Sequence, residues 1–505
     1  MAEFGARGDG TGDDTSAFQQ ACDQLAGGGT LHVPAGTYRL NSVAIRHRNI
    51  RVLLAPDATL QKIPPAGPTS RGIFVLSGLS DAGFELRGGT IDLRGEGPMK
   101  IGRPGLLRNL YASQMISSIT CIAGPANAAV FALRSSGIAI RDCAILNSGE
   151  SGLLFRNSGA ISVRGCRFSN LANYGVEFSY VVPENDGGSG AMPPFTDCEV
   201  ADCRFEDIDD YGLGSGNGVA VGGGGVGRLR TVRDVRISDC TFTRCNRDIH
   251  FEFLDGSWME QVDIARVTSR EPRQGSIGLV SARRASISDV VIEDPSNAPT
   301  ALLIPEKPDL YGIVLSSGFS DVTLSNVTIR DRRERMVSGT GASLERGSTR
   351  LRTSTNVFRT ADVGTWIGIA GGNPQGTVYV GRVTAVVSPR EVELDLPAGA
   401  TVRGGRFALG GMVRNGVILT AGADVVFDNV RIEAGVAGDS PSRAEAAAVR
   451  LRGMNGEVRF NRTTLRAPES GARPAGVRIT GGRARVVGLE NVRIEGFALP
   501  ILDAT

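Results

Sequence analysis

Short runs in which apolar and polar residues alternate recur along most of the chain. They include G-L-L-F-R (152–156), G-V-E-F-S (175–179), G-V-A-V-G (218–222), D-I-H-F-E (248–252), S-I-G-L-V (276–280), G-I-V-L-S (312–316) and G-V-I-L-T (416–420). A period of two puts Leu153, Val176, Val219, Ile249, Ile277 and Ile313 on one face and the residue after each on the other. Each run predicts one strand of a long parallel sheet.

A second pattern follows each run after a turn. A polar residue precedes a small apolar one in I-R-D-C-A-I (Cys143), V-R-G-C-R-F (Cys166), V-A-D-C-R-F (Cys203) and I-S-D-C-T-F (Cys240). The same slot then holds Val267, Val290, Val327, Val430 and Val492. Cys143 and Cys166 are 23 residues apart (166 − 143), as are Val267 and Val290 (290 − 267), which gives the length of one turn. A slot that takes Cys or Val once per turn is inward-facing and stacks on its counterpart ~4.8 Å away in the next rung. The cysteines are therefore expected to be reduced and buried, acting as small hydrophobes. The fold expected is all-β: a single-stranded right-handed parallel β-helix, a solenoid of three-strand rungs.

Residues 14–25 form the one clear helical pattern. Asp14 or Thr15 can cap it, and Phe18, Ala21, Cys22 and Leu25 share a face suited to covering the open end of a solenoid. The helix lies within F-G-A-R-G-D-G-T-G-D-D-T-S-A-F-Q-Q-A (4–21), which G-G-G-T-L-H-V-P-A-G-T-Y (27–38) follows. This opening resembles that of the pectate lyase/polygalacturonase superfamily of β-helices, which also includes phage tailspikes and mannuronan epimerases. The resemblance implies the fold and a carbohydrate-active protein; fold alone does not fix the activity. Polygalacturonases carry N-T-D, D-D, H-G and R-I-K in order. Here Asp209-Asp210 supplies a D-D pair, N-T-D and R-I-K are absent, and His250 is followed by Phe251. Tyr174-Gly175-Val176-Glu177 is similar to the Y-G-F-D of the epimerase site, with Phe178-Ser179 where P-H would follow.

From Arg332 to about Gly411 the rung pattern lapses, and T-A-D-V-G-T-W-I-G-I-A-G with a later V-E-L-D-L predicts a small inserted β module. Three segments result: 1–331 with the capping helix, the module 332–411, and C-terminal rungs 412–505. The module could recognise glycan, pack a subunit or merely decorate the solenoid, and trimers are common among similar spikes.

Composition narrows the partners. Gly at 68 residues and few aromatics suit short strands and tight turns. The net charge is +2 and Lys occurs only at 62, 100 and 307, so no basic block for nucleic acid is present. No apolar run approaches the ~20 residues of a membrane span. The chain opens within a few residues of its first motif without a signal peptide, as in a cytoplasmic protein or a secreted one whose leader has been cut.

Polar residues on the outward side of the first sheet cluster mid-helix: Arg156, Glu177, Ser179, His250 and Glu252, with the small Ala220 and Gly222 as a floor between. Counting two rungs puts Glu177 ~9–10 Å from Glu252, near the ~6.5–9.5 Å of inverting glycoside hydrolysis. The catalytic candidates are Glu177, Glu252, His250, Asp209 and Asp210. Arg156, Arg247, Asp248, Tyr180 and Trp258 are candidates for substrate binding, the two aromatics as sugar platforms, and the loop 181–199 is expected to overhang the groove. A lyase or epimerase would use His250 as base and Arg156 or Arg247 against a uronate carboxylate. No cofactor is required, although Asp209, Asp210, Asp248 and Glu252 offer oxygens to Ca²⁺. Hydrolysis of an acidic glycan leads, with elimination or epimerisation and non-catalytic, tailspike-like glycan binding as the alternatives.

Overall fold

The computed structural model describes residues 1–63, 72–93, 128–148, 151–171, 173–181, 195–208, 216–224, 231–253, 257–295, 311–331, 337–372, 378–410, 415–433, 447–467 and 475–503. Within these, the chain winds as a right-handed parallel β-helix. One rung reads Leu153–Arg156, Gly159–Arg164 and Arg167–Leu171, and these strands define sheets 1, 2 and 3. Each pairs in parallel with its counterpart in the next turn: Leu153 with Val176, Ile161 with Cys198, Phe168 with Phe205.

The alternation read from the sequence gives the core directly. Leu153, Val176, Val219, Ile249, Ile277 and Ile313 are all fully buried in sheet 1. Cys143, Cys166, Cys203 and Cys240 are free, buried thiols in consecutive rungs, since Arg141 pairs with Arg164, Arg164 with Ala201, and Ala201 with Ser238. Each sits just after a tight corner. Asp142, Asp202, Asp239, Arg266, Asp289, Asn326 and Asn429 turn that corner with φ between 52° and 57°, a left-handed conformation that Asp and Asn tolerate best. The corner also carries a polar ladder: Asn429 donates its amide to Asn326 Oδ1 (2.8 Å), and Asn326 donates to Asp289 Oδ1 (2.9 Å).

Sheet 3 contributes an aromatic stack, with Phe168, Phe205 and Phe242 at 4.7 Å between successive centroids and nearly parallel rings. These rings fill the space beneath a column of glycines on sheet 1. A methyl group on Gly175 or Gly218 would meet Phe205 or Phe242 at 2.6 and 2.5 Å. One rung later both partners change, Ser269 taking the ring's place beside Phe242 and Asp248 the glycine's slot before Ile249. Asp248, Ser269 and Ser276 are all buried, which makes a polar pocket inside an otherwise apolar core.

The N-terminal helix, Thr15–Gln24, buries Phe18, Ala21 and Cys22 against the first rungs, with Phe18 edge-on to Tyr38 at 5.4 Å. Asp14 stands at its N-cap but turns its carboxylate to the backbone N–H groups of Arg7 (2.8 Å) and Gly8 (3.4 Å), tying the opening segment to the helix start.

Between Val337 and Leu409 six antiparallel strands close into a small barrel with its own core around Leu351, Tyr379, Val392 and Phe407. The solenoid pairs straight across it, Tyr311 with Asn415 and Val322 with Val425. The barrel rests on the solenoid through Trp366, whose ring lies 4.5 Å from the Arg273 guanidinium and 5.4 Å from that of Arg382; Arg382 also approaches Glu271 at 3.6 Å. Each unit has a separate core, so replacing 337–409 by a short Gly/Ser turn should leave one cooperative unfolding transition for the solenoid. Loss of that transition in a thermal melt of the shortened chain would make the barrel part of the solenoid's core.

Candidate active site

Sheet 1 places its outward side chains in two columns. In register along the axis the first reads Leu154, Glu177, Ala220, His250 and Gly278, and the second reads Arg156, Ser179, Gly222 and Glu252. Small residues thus separate two polar rungs. Glu177 and Glu252 stand two rungs apart but in different columns, so the straight two-rung distance expected from the sequence is too short. Adding the two-residue step along the strand gives about 12 Å between their Cα atoms. The carboxylates lie on a diagonal of the groove.

Each glutamate is held differently. Glu177 accepts a hydrogen bond from Ser151 Oγ at 2.7 Å. Its burial pushes the carboxyl above the usual range, against the lowering effects of Ser151 and Arg156. Glu252 keeps 44% of its side chain exposed and bonds through Oε2 to His250 Nε2 at 3.1 Å. That bond, helped by Arg247, holds Glu252 below the usual range despite partial burial. An ionised carboxylate only accepts, so the proton of this bond is on Nε2. Burial, and then Arg247, lower His250 itself, leaving it neutral near pH 7 against the pull of Glu252. The imidazole leans over Gly278: a methyl group there would lie 2.7 Å from Nδ1 and 3.4 Å from the Tyr311 hydroxyl. Tyr311 belongs to the edge column of Asn217, Arg247 and Gly275 and was not singled out in the sequence. The signal was its place immediately before G-I-V-L-S, the slot that Tyr174 holds before Val176 and Glu177.

Four sequence expectations are corrected. Asp248 is fully buried, filling the glycine slot on the core side of the sheet, and so does not face the groove. It cannot share a cation with Glu252 on the opposite side. Tyr180 follows the parity of Val176 and Phe178 and packs edge-on to Phe195 at 5.6 Å, which takes its ring out of the groove. Trp258 opens a strand of sheet 2, around the corner from the site, with the Arg283 guanidinium 4.7 Å from its ring. Arg156 faces outward as expected but is only 7% exposed, with its guanidinium 5.7 Å from the Phe131 ring. Asp209, Asp210 and residues 182–194 of the expected overhanging loop lie outside the described residues. Among the described residues, no group of three or more His, Cys, Asp or Glu side chains forms a metal site.

Residues 1–63 match the family model described as rhamnogalacturonase A/epimerase, pectate lyase-like, and residues 110–225 match the one for the right-handed β-helix region. The fold is that of a right-handed parallel β-helix, and the opening 63 residues are similar to the pectate lyase-like family. Among curated proteins it is 56% identical over 43 residues to mannuronan C5-epimerase AlgE1 of Azotobacter vinelandii, a stretch covering 8% of this chain and 3% of that one. Alginate lyase 7 of the same organism is 54% identical over 43 residues, covering 8% and 5%. Among solved structures, tailspike protein 3 of bacteriophage CBA120 superposes with a TM-score of 0.52 at 10% identity, over 100% of this chain and 59% of that one. The likeness to these curated relatives is thus confined to a short stretch, while the likeness to the tailspike is one of fold.

Proposed function

We propose that the chain is a glycoside hydrolase acting on an acidic polysaccharide laid along sheet 1. The observation that carries this reading is the opposed ionisation of two outward glutamates on one groove: Glu177 is raised and Glu252 lowered. Environments that push two carboxyls apart in this way supply an acid and a base in the same pH window. Glu177, protonated, gives its proton to the departing glycosidic oxygen. Glu252, ionised, takes a proton from a water that attacks the anomeric carbon from the opposite face, with inversion. His250 orients Glu252 by donating from Nε2. Arg247, whose charge lowers both His250 and Glu252, makes an acidic sugar the better-matched occupant.

A second reading has a specific observation behind it. The short likenesses to mannuronan epimerases and an alginate lyase, together with His250, Tyr311 and Arg247 on neighbouring rungs, fit removal of a proton next to a uronate carboxylate. Elimination or epimerisation would follow. The test is to incubate the protein with alginate, polygalacturonate and a neutral glucan, following reducing ends and the ultraviolet absorbance of unsaturated uronates together. New reducing ends without absorbance are expected. Both signals rising together would replace hydrolysis by elimination; with neither signal, exchange of the sugar C5 proton for solvent deuterium would mark epimerisation, and binding without exchange would make the protein a glycan-binding module.

A further inference from the structure

The first outward column of sheet 1 carries a side chain at every described turn from Ala44 to Leu502 except one, which holds Gly278. A glycine inside a strand weakens it and often marks the close approach of another group. The backbone does not require one here, because Gly278 is not among the residues with positive φ. The requirement is one of space. A methyl group at 278 would lie 2.7 Å from His250 Nδ1 and 3.4 Å from His250 Cε1. On the same strand, Gly275–Val280, a methyl group at 275 would overlap the Tyr311 ring, whose hydroxyl lies 3.4 Å from where a Gly278 methyl would be. Two rings, His250 from the turn before and Tyr311 from the turn after, thus lie over one strand and close on the same recess above Gly278.

That recess decides where the imidazole proton sits. Nδ1 is buried and has no hydrogen-bond partner, whereas Nε2 lies 3.1 Å from Glu252 Oε2. A proton on Nδ1 would be a buried donor without an acceptor, a costly arrangement. A proton on Nε2 is shared with a carboxylate in a charge-assisted bond. Arg247 and Glu252 face the ring from its own strand, Ala220 and Gly222 from the preceding turn, and Gly278 and the Tyr311 hydroxyl from the turns that follow. None of them bonds to Nδ1. Burial and Arg247 together keep a second proton off the ring.

We infer that Gly278 is a positioning residue of the site: having no side chain, it seats the His250 imidazole so that its single proton is on Nε2 and is donated to Glu252. A methyl group at 278 lifts the ring from the recess, breaks that bond and leaves Glu252 free to turn and to take up a proton. The functional half of the inference rests on the reading of Glu252 as the base. The structural half holds whatever reaction the groove performs.

The test is Gly278→Ala in the full chain. The sequence has three histidines, His32, His47 and His250, so ring-nitrogen NMR signals of histidine-labelled protein are few, and His250→Ala assigns the one of interest. In the wild type at pH 7, Nε2 should be the protonated nitrogen and Nδ1 the bare one. In Gly278→Ala the two signals should move towards the averaged values of a free imidazole. The ring should also titrate nearer the ordinary histidine pKa, because burial, the main cause of its lowering, is relieved. Turnover should fall roughly tenfold or more, with the acidic limb of the pH profile moving up as Glu252 loses its bond to His250. In a His250→Ala background the methyl group meets no ring, so the double variant should match His250→Ala in turnover, acidic limb and melting temperature. A wild type protonated at Nδ1, or an unchanged His250 signal in Gly278→Ala, overturns the inference. So does a double variant that loses further activity or melts lower than His250→Ala, which would make Gly278 a requirement of the backbone alone. If no substrate is turned over, the hydrolase reading fails, while the ring signals and melting temperatures still decide whether Gly278 seats His250.

Discussion

Glu252→Gln should reduce turnover by a factor of roughly 10² or more while leaving the melting temperature nearly unchanged, because the side chain is 44% exposed and the amide oxygen still accepts from His250 Nε2. The pH profile carries the sharper information. If Glu252 must be ionised, activity falls as pH drops through its pKa, which the His250 bond and Arg247 hold below the ordinary glutamate value. If Glu177 must be protonated, activity falls as pH rises through its pKa, which burial holds above that value. The expected profile is a bell whose acidic limb belongs to Glu252 and whose alkaline limb belongs to Glu177. Glu177→Gln should cost a similar factor and remove the alkaline limb. His250→Ala takes away the hydrogen bond that most lowers Glu252, so its acidic limb should move up in pH. A His250→Ala variant that loses all activity while both glutamine variants keep theirs would transfer the chemistry to the imidazole.

Asp248→Asn should stabilise the protein at alkaline pH and do little at pH 4. Burial raises the Asp248 carboxyl from 3.8 to about 7, and the hydroxyls of Ser269 and Ser276 offset this only in part. The folded state therefore binds this proton more tightly than the unfolded chain does. Stability from the neutral carboxyl is fully present below the unfolded pKa, declines as pH rises from 3.8 towards 7, and is constant above that. Three units correspond to a loss on the order of 4 kcal/mol for a fully buried group. The isosteric amide cannot ionise and so avoids the loss. Urea melts of both proteins at pH 5 and pH 8 decide the matter: the wild-type midpoint should fall with pH and the variant's should hold. Parallel behaviour would mean that Asp248 does not titrate in this window.

The sequence made the solenoid legible because its two signals are local. Alternation about Leu153, Val176 and Ile249 marks sheet 1, and an Asp or Asn before Cys or Val marks a left-handed corner leading to an inward slot. The site was legible only as far as alternation held. It placed Glu177, His250 and Glu252 outward, yet a rung count along the axis ignored the step between columns. Asp248 was misread because the strand starts at a corner, where the residue before Ile249 points inward. The clue lay in the neighbouring runs, which carry Gly152, Gly175 and Gly218 in that slot and phenylalanines in sheet 3. At this rung they are replaced by Asp and, at position 269, Ser. Trp258 depended on which side of a corner it falls, which alternation within one strand does not specify, whereas Tyr180 was legible, since it shares the parity of Val176 and Phe178.

Parallel pairing of each strand with its counterpart one turn on makes the molecule a ruler. Removing residues 144–166 would join Cys143 to Arg167 and bring each following strand onto the partner its predecessor had, whereas removing one residue fewer would turn a whole strand inside out. Length can therefore change only by complete windings, each lengthening or shortening the groove by ~4.8 Å. The spacing between outward side chains on different turns is quantised in the same steps. A lineage that gained or lost one winding between Gly278 and Arg450 would move every later side chain of sheet 1 by one step along the axis without altering those before it.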